Sequence, residues 1–169
     1  MGLNTSLCIA AFALVGLTAT GPARALDRPK DQVILTISGK IGSVNSINGA
    51  QFDLAMFDQL PQQTMVAQTP WEKKPTMYSG PLLRDVLSLV KARGTTLQAF
   101  ALSDYQTTIP FADAKRFDVL MATRMNGAPM PVRTKGPIFI IYPYDSRSEL
   151  QSLTFYERSA WQLKRLVVE

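Results

Sequence analysis

Histidine is absent from the 169 residues, and cysteine occurs once, at Cys8. These two gaps exclude much chemistry. A Ser-His-Asp or Cys-His relay needs an imidazole. Structural and catalytic zinc sites draw on Cys and His. Iron–sulfur clusters need thiolates, and of the side chains that ligate haem iron only Met and Tyr remain beyond residue 8. No Gly-rich loop followed by Lys-Ser or Lys-Thr is present to cradle a phosphate. A dense basic stripe is missing too. The 18 Lys and Arg against 13 Asp and Glu give a net charge of +5. They are scattered, apart from small groups such as Lys73-Lys74 and Arg133 to Lys135. A nucleic-acid footprint is therefore not expected. There is no internal repeat and no low-complexity segment.

The chain's first 25 residues read as a secretory signal. Leu7 to Leu17 is nearly all apolar, Thr18 to Pro22 is small or turn-forming, and Ala23-Arg24-Ala25 fits the small-x-small cleavage rule. The run falls short of the roughly 20 residues that span a bilayer. It lacks the usual Lys or Arg ahead of it. Cleavage near Ala25 removes Cys8 and implies a periplasmic or secreted product, with no lipid anchor and no disulfide. Residues 26–169 are then one domain by length.

Local patterns divide that domain. Val33 to Gly39 is β-branched and apolar and predicts a strand ended by Gly. Phe52 to Leu60 predicts a short helix with Asp53 as N-cap and Pro61 as its stop. Thr64 to Thr69 is a short strand, and Pro70 to Met77 a loop carrying Trp71. The clearest helix is expected to be capped by Ser79 or Gly80, with Pro81 in its first turn, Leu82, Val86, Leu89 and Val90 on one face, and Gly94 at its end. Strands follow at Gln98 to Ser103 and Thr107 to Phe111, and a helical turn at Ala112 to Phe117. A further strand, Val119 to Met125, leads into an Asn126-Gly127 hairpin turn. Pro137 to Tyr142 is apolar on both faces, which predicts a strand at the centre of the fold. Arg147 to Arg158 is a charged connection, and Trp161 to Val168 a last strand whose broken alternation between Leu163 and Leu166 suggests a bulge. Many short strands with two or three helices give an α+β domain.

Carboxylate chemistry survives these exclusions, since Asp104, Asp113, Asp118, Asp145 and Glu149 are all available. Caps, turns and surface charges account for them better than a catalytic pair does.

The order of several segments resembles the molybdopterin-binding domain of the sulfite oxidase family. They are Ile37 to Ile41, Phe52-Asp53-Leu54, the Thr64 to Trp71 segment with its Pro-Trp, and Tyr78 to Leu87. Ser103-Asp104-Tyr105, Ile109-Pro110, Met125 to Pro131, Lys135-Gly136-Pro137 and Trp161 to Leu166 continue the series. Short exported bacterial proteins of the oxidoreductase-like kind share the Lys-Gly-Pro and Tyr142-Pro143-Tyr144-Asp145 segments. The resemblance implies a mixed β-sheet or partly closed barrel with two or three short helices. It also implies a cofactor pocket whose metal ligand is a cysteine just ahead of the Trp segment. Here Val66 to Trp71 holds none, and a Thr hydroxyl is a hard substitute for a soft thiolate. In the Gly-x-Pro-x-Arg segment of the family's enzymes, the Arg position falls near Phe139, which offers no donor.

The expectation is thus a family frame without its catalytic centre. It would be a non-catalytic module binding a small anionic or ring-bearing ligand, or a membrane sensor protein, and no cofactor is expected. A molybdopterin-dependent oxidoreductase with an atypical site is the alternative. If the pocket persists, its rim would draw on Trp71, Asp104, Tyr105, Arg124, Arg133, Lys135, Tyr142, Tyr144 and Asp145. Arg124, Arg133 and Lys135 would hold an anion. Trp71, Tyr105 and Tyr144 would stack on a ring. Each also has a plain role in packing, turns or solvation. Met121, Met125 and Met130 read as gap-fillers.

Overall fold

Leu35 and Ile37 point inward from β1 (Leu35–Gly39) while Thr36 and Ser38 point away, the two-residue period of a half-buried strand. The computed structural model describes residues 26–169, so the expected signal at 1–25 lies outside the described residues. β1 pairs antiparallel with β2 (Ala50–Phe52) on one side and parallel with β11 (Leu163–Val168) on the other. β11 continues antiparallel to β5 (Thr96–Ala101), which pairs with β6 (Gln106–Pro110). The last strand is therefore inserted between early and middle ones, in the order β2-β1-β11-β5-β6. Its register shifts between Leu163 and Arg165, where the alternation breaks in the sequence. Gly39 ends β1 at φ +86°, where a Cβ would stand 2.2 Å from the Val168 carbonyl oxygen. Only glycine allows β1 and β11 to meet there.

A second sheet runs in the order β3-β4-β8-β9, from β3 (Gln62–Ala67), β4 (Thr76–Pro81), β8 (Arg124–Met125) and β9 (Ala128–Pro129). Asn126 and Gly127, both at positive φ, make the β8–β9 turn expected of that dipeptide. Between the sheets lies a short pair, β7 (Leu120–Ala122) with β10 (Phe139–Ile141), every residue of which is buried. The run that is apolar on both faces in the sequence is thus the centre of the core. The mixed sheet expected from the resemblance is an open five-stranded sheet beside two smaller ones, and among the described residues no sheet closes into a barrel.

Among the described residues four short α-helices join them. α1 (Leu54–Asp58) begins as expected, with the Asp53 carboxylate accepting the Met56 N–H at 2.8 Å. α2 (Leu83–Leu89) does not. Ser79, Gly80 and Pro81 belong to β4, and Leu82 is the N-cap. Tyr78 and Gly80 are drawn into the sheet and core, which outweighs the capping preference of Ser and Gly. A Cβ on Gly80 would lie 2.2 Å from the Met121 carbonyl oxygen, so this glycine serves the close approach of β4 to β7. The helix ends at Leu89, with Lys91 taking the left-handed conformation (φ 51°) rather than Gly94. α3 (Asp113–Arg116) is the expected turn, and α4 (Leu153–Arg158) follows two single 3-10 turns in the charged connection.

Candidate functional site: an aromatic cleft

Where the β5–β6 turn faces α4, a cleft of about 430 Å³ opens to solvent. Its lining comes from three places. Trp71 stands on the loop between β3 and β4. Ser103 and Tyr105 stand on the β5–β6 turn. Leu153, Tyr156, Glu157, Ser159 and Trp161 come from α4 and the segment leading into β11.

Local backbone features aim these side chains. Asp104 adopts φ 61°, which turns the chain sharply between β5 and β6 and presents Tyr105 to α4. The Tyr105 hydroxyl then donates to the Glu157 carbonyl oxygen at 2.5 Å, fixing the ring as a wall. Gln162, at φ 52°, donates its N–H to the Lys135 carbonyl and accepts from the Leu102 N–H, each at 2.9 Å, which seats Trp161. Trp71 packs edge-to-face with Trp161 (5.3 Å between centroids, 67° between planes), Tyr156 (6.0 Å, 74°) and Phe139 (5.8 Å, 72°). Such tilted pairs contribute about 0.5–1.5 kcal/mol each beyond area burial.

Behind the cleft the polar groups are held in place. Ser159 Oγ donates to the Phe155 carbonyl and meets the buried Tyr144 hydroxyl. Tyr142 donates to Asp113 Oδ2 at 2.8 Å, and Arg158 approaches the same oxygen at 3.0 Å. Burial pushes both phenols well above the ordinary tyrosine value, with the Asp113 charge adding to the effect at Tyr142. Tyr78 is also raised by burial, and then by the Glu72 charge. All three are neutral phenols. Thr69 Oγ1 and Tyr78 Oη are sealed from solvent, near enough to interact but outside hydrogen-bond geometry, and neither has a partner.

The structure gathers some of the expected residues and separates others. Trp71 and Tyr105 line the cleft, and Tyr144 packs behind Trp71 at 6.5 Å. Lys135 sits 5.7 Å from the Trp161 ring, paired with Glu72. Asp104 shapes the turn while its carboxylate reaches out to Lys164 at 3.8 Å. Tyr142 is core. Asp145 accepts the Gln68 N–H at 3.0 Å. Arg124 is bound through both guanidinium nitrogens to Asp58 on α1, which raises its pKa, and Arg133 is exposed. The three cations do not converge on one anion site. Ser103, Tyr156, Glu157, Ser159 and Trp161 were not marked as site residues by the sequence. Only the Trp and Tyr among them carry a signal, and the α4 stretch reads in the sequence as a charged connection.

A metal-bearing pterin cofactor makes specific demands, and the residues present do not fit them. No thiolate or imidazole stands among residues 26–169. The buried phenols are held neutral, and the Val66 to Trp71 stretch supplies the sealed Thr69 hydroxyl and the Gln68 amide, whose nitrogen donates to the Thr69 and Glu72 carbonyls. No Lys or Arg lines the cleft to meet a phosphate, whereas Glu157 does line it. Among the described residues no group of three or more His, Cys, Asp or Glu is arranged to hold a metal ion. No helix among them is long and apolar enough to cross a membrane.

Among the described residues, an open mixed sheet backed by two smaller sheets and four short helices defines an α+β domain. The model of the oxidoreductase molybdopterin binding domain matches residues 50–145, and the chain belongs to that family. Among solved structures, the sulfane dehydrogenase SoxCD from Paracoccus pantotrophus matches with a TM-score of 0.60 and 14% identity, over 85% of this chain and 40% of that one. The likeness is one of fold, and this chain spans less than half the length of that protein. No curated protein matches. The α4 wall of the cleft and Trp161 lie beyond the matched residues.

Proposed function

We propose that this protein is an exported, non-catalytic binding module built on the molybdopterin-binding domain, taking a small ligand in the aromatic cleft. The observation that supports the reading is the cleft itself. It has the size and make-up of a small-molecule site, with aromatic walls and few polar groups, yet neither a soft ligand for molybdenum nor a cation for a phosphate. On this reading the family's metal-binding cysteine has been lost and the frame kept. A membrane sensor protein is the other partner this reading allows. Family membership keeps one rival alive: a molybdopterin-dependent oxidoreductase with an atypical metal shell.

Metal content separates the two. The protein is to be produced in cells that make the cofactor, isolated from the periplasm, and analysed for molybdenum and tungsten. The module reading expects neither above background, and a mature chain beginning near Leu26. Stoichiometric metal accompanied by turnover of a substrate overturns it.

A further inference from the structure

We infer that the cleft selects an organic cation with a compact quaternary ammonium head. The inference rests on the reading of the cleft as a ligand site and names the chemistry of its occupant.

Charge comes first. Glu157 lines the cleft, its backbone carbonyl accepts from Tyr105, and its carboxylate makes no ion pair or hydrogen bond. The cations around it are already answered. Arg158, its neighbour on α4, turns to Asp113. Lys135 is paired with Glu72 and Lys164 with Asp104. The cleft therefore holds one uncompensated negative charge.

Donor supply comes second. An anionic ligand is best met by charged donors, and the lining has no Lys or Arg; of its neutral donors, two are also committed. The Tyr105 hydroxyl donates to the Glu157 carbonyl, and Ser159 Oγ to the Phe155 carbonyl. A quaternary ammonium carries no N–H and needs neither donors nor close acceptors. It binds through charge and through the negative faces of aromatic rings.

Ring geometry comes third. The two lining rings in contact with Trp71 stand at 67° and 74° to it, so they form a corner rather than a pair of parallel plates. A flat ring system prefers parallel plates. A rounded head touches several tilted faces at once. Lys135, 5.7 Å from the Trp161 ring, shows a cation already resting against this cluster from outside the lining.

Calorimetric titration of the mature chain with choline chloride tests the inference. Its neutral isostere 3,3-dimethylbutan-1-ol and inorganic phosphate are run alongside. Choline is expected to bind about tenfold or more tighter than the isostere. Glu157→Gln and Tyr105→Leu, at exposed positions, should each weaken choline about fivefold. Equal binding of choline and isostere, no effect of either variant, or no choline binding overturns the inference. So does phosphate binding that displaces choline. None of these results touches the metal analysis, so the binding-module reading stands or falls separately.

Discussion

Tyr142 and Tyr78 are both fully buried, yet their hydroxyls have opposite surroundings. Tyr142 donates to Asp113, whose same oxygen takes Arg158, so three polar groups from β10's end, α3 and α4 satisfy one another. Tyr78 and nearby Thr69, on the β3–β4 side, have no partner. A buried hydrogen bond adds only about 1 kcal/mol net, whereas leaving one member unpaired costs about 1–3 kcal/mol, more if it is charged. The first region should thus be brittle to substitution. The second should tolerate loss of its hydroxyls, because no well-formed hydrogen bond is broken when they go.

The largest expected effect is at Asp113. Asp113→Ala strands the Tyr142 hydroxyl and the Arg158 guanidinium together, and should cost about 3 kcal/mol in urea unfolding. Asp53 is the other well-satisfied buried carboxylate, accepting the N–H groups of Met56, Lys30 and Asp31. Burial opposes its ionisation, but these bonds outweigh burial and hold the carboxyl below its ordinary value. Asp53→Ala should cost about 2 kcal/mol at neutral pH. Because the folded pKa is the lower one, this stabilisation is fully present above the ordinary carboxylate range. It is lost as pH falls through the folded value. The gap between the wild type and Asp53→Ala should therefore shrink in acid unfolding curves.

Tyr142→Phe should cost about 1–2 kcal/mol. Tyr78→Phe should fall within about 0.5 kcal/mol of zero or stabilise, and Thr69→Val the same. A Tyr78→Phe loss as large as that of Tyr142→Phe would erase the contrast and point to a partner for Tyr78. Smallest of all, Glu157→Gln should leave stability unchanged, since its carboxylate contacts nothing, while altering ligand binding.

The strands were legible where side-chain period and turn chemistry agreed. Asn126-Gly127, the Asp53 cap, the two-faced Pro137 to Tyr142 run and the bulge after Leu163 all follow from local patterns. The start of α2 was not legible. Ser79-Gly80-Pro81 is a sound helix-entry signal, overridden because β4 needs Tyr78 in the core and Gly80 against β7. The site divides similarly. Trp71 and Tyr105 announce themselves as aromatic residues on loops. Glu157 and Ser159 do not, because their relevance depends on α4 being folded back against a turn more than 40 residues earlier in sequence. The cations failed to converge for the same reason. Arg124 and Lys135 are neighbours in sequence, but each finds its own carboxylate on a different element.

Trp71 and Trp161 are the chain's only tryptophans, and they stand 5.3 Å apart inside the cleft. The protein's tryptophan emission is in effect the emission of one coupled indole pair. Any molecule entering between α4 and the β5–β6 turn must disturb that pair. The protein thus carries an intrinsic optical gauge of its own occupancy, readable as a change in fluorescence or in the circular-dichroism couplet of two strongly tilted chromophores.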